Sequence, residues 1–167
     1  MKENFDKCLE MLLHHEGGYV NHPEDPGGET NLGVTKRVYE EWGGTKDMKA
    51  LTVEDVAPIY KKKYWDIVKG DELPSGLDWA VFDWAVNSGT GRAAKAVQKV
   101  CGAEQDGAIG PKTLALVNGQ DTSYMIEQFG KIRQEFYEGL STFKTFGRGW
   151  TRRNSETTTK ATEMVRV

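Results

Sequence analysis

LLHHEGGYVNHPEDPGGETNLG, residues 12–33, decides how this chain begins to fold. Just ahead of it, Phe5, Cys8, Leu9 and Leu12 recur at helical spacing, so a first helix is expected over about residues 4–16. At about 100° per residue, Glu16 falls between Leu9 and Leu12, in the middle of that apolar stripe. A carboxylate stands where the pattern asks for another leucine. Gly17-Gly18 then closes the helix and permits close approach of another chain. The glycine- and proline-rich run behind it cannot be helical, and a loop with a short hairpin is expected over about 18–34.

Two readings of Glu16 stand open on this pattern. Held among apolar side chains, its carboxyl keeps its proton, because burial disfavours the charged form. A protonated carboxyl near neutrality is what protonation of a leaving oxygen requires. Turned to water or to a cation, it is an ordinary helix-end glutamate. Glycoside cleavage generally needs a second carboxylate across the scissile bond. Asp25 and Glu29 are the loop candidates, with Glu24 a third, and the Thr30 hydroxyl can orient a water molecule. Taken alone, an acidic glycine loop is more often a solvated turn.

The rest of the chain sets the frame. Its 167 residues suit one full core, and a net charge of -3 gives no basic footprint for nucleic acid. Cys8 and Cys101 fall at helical apolar positions and read as small core hydrophobes. MKENFDKCLE has no apolar run after its lysine, so no Sec signal is expected, and no segment is long enough to span a bilayer. Thr35 reads as the N-cap of a helix closed by Gly43-Gly44. Thr52 reads as the cap of the next, with Asp55 at the third position and Pro58 marking a kink or a late start. LDWAVFDWAVNSG, 77–89, is apolar nearly all round and is expected at the centre of a domain. Helices follow over about 92–100, from Pro111 to Val117, and over about 123–143, then a turn-rich FGRGW and a polar tail. The fold class is mainly α, with one small hairpin lobe after the first helix.

Several motifs in order resemble one known family. Glu16-Gly-Gly-Tyr19, then Asp25-Pro-Gly-Gly-Glu-Thr30-Asn-Leu-Gly-Val-Thr35, resembles the N-terminal signature of glycoside hydrolase family 108, the N-acetylmuramidases common among phage endolysins. YKKKYWD (60–66) and FDWAVNSGTGRAAKAVQ (82–98) are similar to that family's interior. AVQKVCGAEQDGAIGPKTLALV (96–117) and FGRGWTRRN (146–154) are similar to its peptidoglycan-binding module. The resemblance spans about residues 5–155. It implies a lysozyme-like helical fold and carries the catalytic acid to Glu16. Phage lysozymes of family 24 offer a looser likeness, setting a glutamate, an aspartate and a threonine at E-x8-D-x5-T. Glu16 to Asp25 keeps the eight-residue gap, while Asp25 to Thr30 spans four residues, one short. The likeness implies Asp25 and Thr30 as partners of Glu16.

Further residues carry weaker signals. Tyr19 follows the acid's turn and is placed to line a sugar groove. Trp65 can stack on a sugar or fill the core. Asn87, four residues after Asp83 on the central helix, can bind an N-acetyl or hydroxyl group or a backbone partner. Asp78 and Asp83 read as helix anchors, and Lys61-Lys62-Lys63 as a solvated face. His14, His15 and Glu16 point about 100° apart on a helix and cannot share one ion, so neither metal nor cofactor is expected.

The expectation is thus a monomeric lysozyme-type hydrolase of the β-1,4 bond between N-acetylmuramic acid and N-acetylglucosamine. Its partner is bacterial peptidoglycan, with no nucleic acid and no membrane insertion. Residues 1–92 form the catalytic region, and 93–167 a helical peptidoglycan-binding region packed with it. A phage endolysin of this kind is made in the host cytoplasm and reaches the wall through a separate pore. The alternatives are a lytic transglycosylase using Glu16 alone and a non-catalytic peptidoglycan-binding factor in secretion or wall assembly.

Overall fold

Thr35 and Thr52 set the starts of two helices, as their spacing predicts. In the computed structural model, which describes residues 1–15, 17–21 and 28–165, α1 spans Phe5–His15, α2 Lys36–Trp42 and α3 Val53–Tyr60. Thr35 Oγ1 accepts from the Val38 N–H at 3.2 Å. At the other end of α2, Gly43 takes a left-handed φ of 106° and the Gly44 N–H returns to the Tyr39 carbonyl. The Asp55 carboxylate accepts from the Thr52 N–H at 2.9 Å and from Lys46 Nζ at 3.0 Å. It is held below the usual carboxylate range, first by that N–H and then by the lysine. The late start expected from Pro58 does not occur. The cap at Thr52 wins, and Pro58 sits inside α3, which runs on into a π-helical turn at Lys61–Trp65.

Between α1 and α2 lies a three-stranded antiparallel sheet of β1 (Val20–Asn21), β2 (Glu29–Asn31) and β3 (Val34–Thr35), in that order. Val20 pairs with Thr30, and Asn31 with Val34. Leu32 and Gly33 join β2 to β3 with φ of 52° and 76°. Two left-handed residues in a two-residue loop make the primed turn that matches strand twist. Tyr60 Oη donates to the Leu32 carbonyl at 2.7 Å, and Asn31 Nδ2 donates to the Met48 carbonyl at 2.7 Å. Side chains therefore fasten the strained turn at both ends.

Packing divides the chain into two compact units, Asp6–Lys63 and Met1–Phe5 with Tyr64–Val167. The second is built on α4 (Leu77–Ser88), whose residues 77–85 are all buried. Around it lie α5 (Thr90–Cys101), α6 (Pro111–Asn118), α7 (Thr122–Glu138) and α8 (Phe143–Val165). α4 packs against α5, α7 and α8, and α7 and α8 share the most extensive helix contact. Two expectations are corrected here. The helix expected over 123–143 ends at Glu138, where Gly139 caps it. FGRGW is not turn-rich: it and the polar residues after it, as far as Val165, belong to α8. Its buried stripe is Gly147, Asn154, Thr157, Ala161 and Met164, at helical spacing and, but for Met164, small or polar. Cys8 and Cys101 are buried thiols, the latter donating to the Gln98 carbonyl at 3.6 Å.

Candidate active site

Glu16 and Asp25 lie outside the described residues, as do His22 and Glu24. α1, which leads to Glu16, carries the expected stripe: Phe5, Cys8, Leu9 and Leu12 are all buried. The described part of the region is the sheet. Successive strand residues face opposite sides, so Glu29 and Asn31 share one face and Thr30 takes the other. Asn21 pairs with Glu29, which sets Tyr19, two residues earlier, diagonally across from Glu29 on the same face. Tyr19 Oη donates to Glu29 Oε2 at 2.6 Å. Lys36 Nζ lies 3.6 Å from Glu29 Oε1, and Lys49 Nζ stands 5.3 Å from the centre of the Tyr19 ring. The carboxylate keeps the phenol neutral: the Tyr19 pKa is raised, first by its hydrogen bond to Glu29 and then by desolvation.

Thr30 is half-buried on β2, beside its cross-strand partners Val20 and Thr35. The sheet thus brings Tyr19 together with Glu29 and sets Thr30 on the opposite face. Pairing of Tyr19 with Glu29, and of Glu29 with Lys36, was beyond the sequence reading. The only signal was a tyrosine and an acid flanking a glycine- and proline-rich loop.

Trp65 and Asn87 belong to the other unit. Trp65 is wholly buried, edge-on to Phe5 and Phe82 with centroids 5.3 Å away in each case. Its indole N–H donates to Asp71 Oδ1 at 2.8 Å. The sugar-stacking expectation for Trp65 therefore gives way to a core role, because no face of the ring reaches solvent. The Asn87 side-chain oxygen accepts from Tyr137 Oη and from Ser88 Oγ. Asp78 and Asp83 anchor helices, as expected. Asp78 accepts from Asn4 Nδ2 and from the Gly76 and Trp79 N–H groups. Asp83 is wholly buried, with Arg133 Nη1 at 2.8 Å, Arg153 Nη2 at 2.9 Å and Thr157 Oγ1 at 3.2 Å. Burial pushes its carboxyl up, yet the two guanidiniums outweigh this and hold it below the usual range. Among the described residues no group of acids, histidines and cysteines is arranged to hold a metal ion.

A helical scaffold with a hairpin lobe directly after its first helix suits several chemistries. Comparison with known proteins narrows them. Residues 9–89 match the family model for glycosyl hydrolase 108, and residues 92–155 match the model of a predicted peptidoglycan domain. The structure of Brucella abortus SagA is 43% identical, covers 100% of this chain and 98% of its own, and superposes with a TM-score of 0.86. The chain belongs to glycosyl hydrolase family 108. No curated protein matches it. As a family 108 enzyme it is a glycoside hydrolase acting on peptidoglycan, and its mainly helical fold is that of a lysozyme-like protein. The family match spans Glu16, the loop with Asp25, the Tyr19–Glu29 pair and α4. No helix among the described residues is long and apolar enough to cross a membrane.

Proposed function

We propose that this family 108 enzyme hydrolyses the β-1,4 bond between N-acetylmuramic acid and N-acetylglucosamine, with Glu16 as general acid. The Glu16 proton passes to the glycosidic oxygen as that bond breaks. Water supplies hydroxide to the sugar carbon and a proton to the site. Asp25 stabilises the positive charge on the sugar or takes the proton of the attacking water, and Thr30 positions that water. Tyr19, fixed by Glu29 at the edge of β1, lines the glycan path. Asn87, whose side-chain oxygen is held by Tyr137 and Ser88, keeps its amide N–H groups for an N-acetyl or hydroxyl group, while Trp65, buried and bonded to Asp71, supports from the core. The observation that carries the reading is the family match over 9–89, which contains the acid, its loop and the sheet. The buried stripe of α1 adds support, because in sequence Glu16 falls at the next position of the same pattern.

We also propose that residues 1–92 cleave the glycan while 93–167 hold the wall, and that the setting is wall lysis, as in the phage endolysins the sequence resembles. The test is Glu16→Gln, which keeps the shape and removes the proton. It should retain the wild-type circular dichroism and melting temperature. Its release of reducing ends from purified sacculi should fall by about 100-fold or more, the scale of a lost general acid. A folded Glu16→Gln protein that releases reducing ends at the wild-type rate would overturn the assignment.

A further inference from the structure

Among the described residues that line the groove between α5 and α7 there are three cations and no acid. The groove encloses about 430 Å³, within the range of small-ligand sites, and its lining includes Trp84, Arg92, Lys95, Lys99, Gln105 and Phe136. Arg92, Lys95 and Lys99 stand three and four residues apart on α5, so they share one face. Arg92 is partly spoken for: its guanidinium lies 4.1 Å over the Phe136 ring, and Nη1 donates to the Ser88 carbonyl at 2.9 Å. Ion pairs among the described residues of this unit engage Lys131, Arg133, Arg152, Arg153 and Lys160 with carboxylates. Lys95 and Lys99 take part in none of these. Like charges four apart on a helix destabilise it, and no ion pair among the described residues engages either lysine.

A second feature of the same groove also lacks a partner. Trp84 lines it and is 1% exposed, with Phe129 and Phe136 edge-on at 5.5 and 5.8 Å. Its buried indole N–H has no acceptor among the described residues. Buried donors are nearly always bonded. Two ammonium groups on one helix face, with the Phe136 ring and Gln105 beside them, describe a site for a small anion-bearing ligand with apolar parts.

Resting on the reading of peptidoglycan as substrate, we infer that this groove binds the carboxylates of the peptidoglycan stem peptide. Lys95 and Lys99 take the carboxylates, Gln105 meets a peptide amide, and alanine methyls lie against the half-buried Phe136. The stem peptide fits better than bare glycan because the amino sugars' hydroxyl and N-acetyl groups carry no charge for two ammonium groups to answer. Binding here holds the wall through its peptides while a different part of the chain cuts the glycan.

The experiment titrates the full-length protein with a synthetic stem tetrapeptide, and with the same peptide amidated at its carboxyl groups, by calorimetry at low and high salt. Wild type should bind the free acid in a salt-sensitive manner. Amidation, or the double substitution Lys95→Ala/Lys99→Ala at two exposed sites, should weaken binding about tenfold or more. Sedimentation with sacculi should show the same loss for the double variant, and should survive removal of wall phosphate polymers by acid. Failure of wild type to bind millimolar peptide, equal binding of the amidated peptide, or an unaffected double variant would overturn the inference. So would loss of sacculus binding on stripping the phosphate polymers, which would make those the ligand. Peptide-free glycan strands separate this from the catalytic reading: the double variant should cleave them at the wild-type rate. Wild type that leaves them intact yet binds the peptide would sink the muramidase reading and spare the groove.

Discussion

Tyr19 and Asp83 show how single side chains are set in this enzyme. The Tyr19 phenol donates to Glu29, and the negative charge beside it opposes ionisation. Glu29→Gln removes that charge, so the Tyr19 pKa should move down towards its ordinary value. NMR of ring-labelled tyrosine measures this directly, and a Tyr19 titration unchanged by the substitution would mean that the pair does not form in solution. Asp83 belongs to a buried cluster in which one carboxylate answers two guanidiniums. Asp83→Asn leaves the wholly buried Arg133 guanidinium facing a neutral partner, so it should cost about 3–5 kcal/mol of unfolding free energy in urea titrations. Because the folded pKa of Asp83 is depressed, its contribution is complete above the unfolded value of about 4 and is lost as pH falls through the folded value. The excess acid sensitivity of the wild type over Asp83→Asn should therefore appear only below about pH 4.

At the scale of elements, two close contacts carry testable strain. Leu32 holds φ 52° in the β2–β3 turn, a conformation that costs a branched residue about 1–2 kcal/mol. Leu32→Asn creates the Asn-Gly pair that such turns favour, and should raise the urea midpoint by the equivalent of about 0.5–1 kcal/mol. Gly130 on α7 meets α8: a Cβ there would stand 2.7 Å from Thr158 Oγ1, and Asn154 Nδ2 donates to the Gly130 carbonyl at 2.9 Å. Gly130→Leu should lower stability by about 1–3 kcal/mol, seen as a fall in melting temperature. The α7–α8 contact also explains what was legible in the sequence and what was not. The helices of Thr35, Thr52 and Pro111 were readable, because caps and N1 prolines act locally. α8 was not, since Asn154, Thr157 and Ala161 bury a face with no leucine in it. For the candidate site, an ordered set of motifs singled out Glu16, Asp25 and Thr30. The Tyr19–Glu29 pair depends on strand register across a loop, which composition does not encode. Arg153 reaches Asp83 from a segment whose polar letters read as a tail.

Across the whole molecule, two divisions of the chain coexist. Packing separates Asp6–Lys63 from the remainder, while the family models meet between residues 89 and 92. α4 falls within the glycosidase match yet forms the centre of the unit that carries the peptidoglycan domain. A cut at 92/93 would divide only the unit built on α4, taking that central helix away from α7, α8 and most of α5, so 93–167 should not fold alone. Expressed separately, the 93–167 fragment should lack a cooperative melting transition. A cooperative melt of that fragment would show that its helices hold without α4. The central claim concerns the bond and the water that breaks it. Sacculi digested by the wild type in oxygen-18 water, followed by mass spectrometry of the released muropeptides, test it most directly. The expected result is one labelled oxygen on each new reducing N-acetylmuramic acid, absent from the Glu16→Gln digest. Unlabelled anhydro-muramic ends, or labelled ends produced equally by Glu16→Gln, would contradict the account.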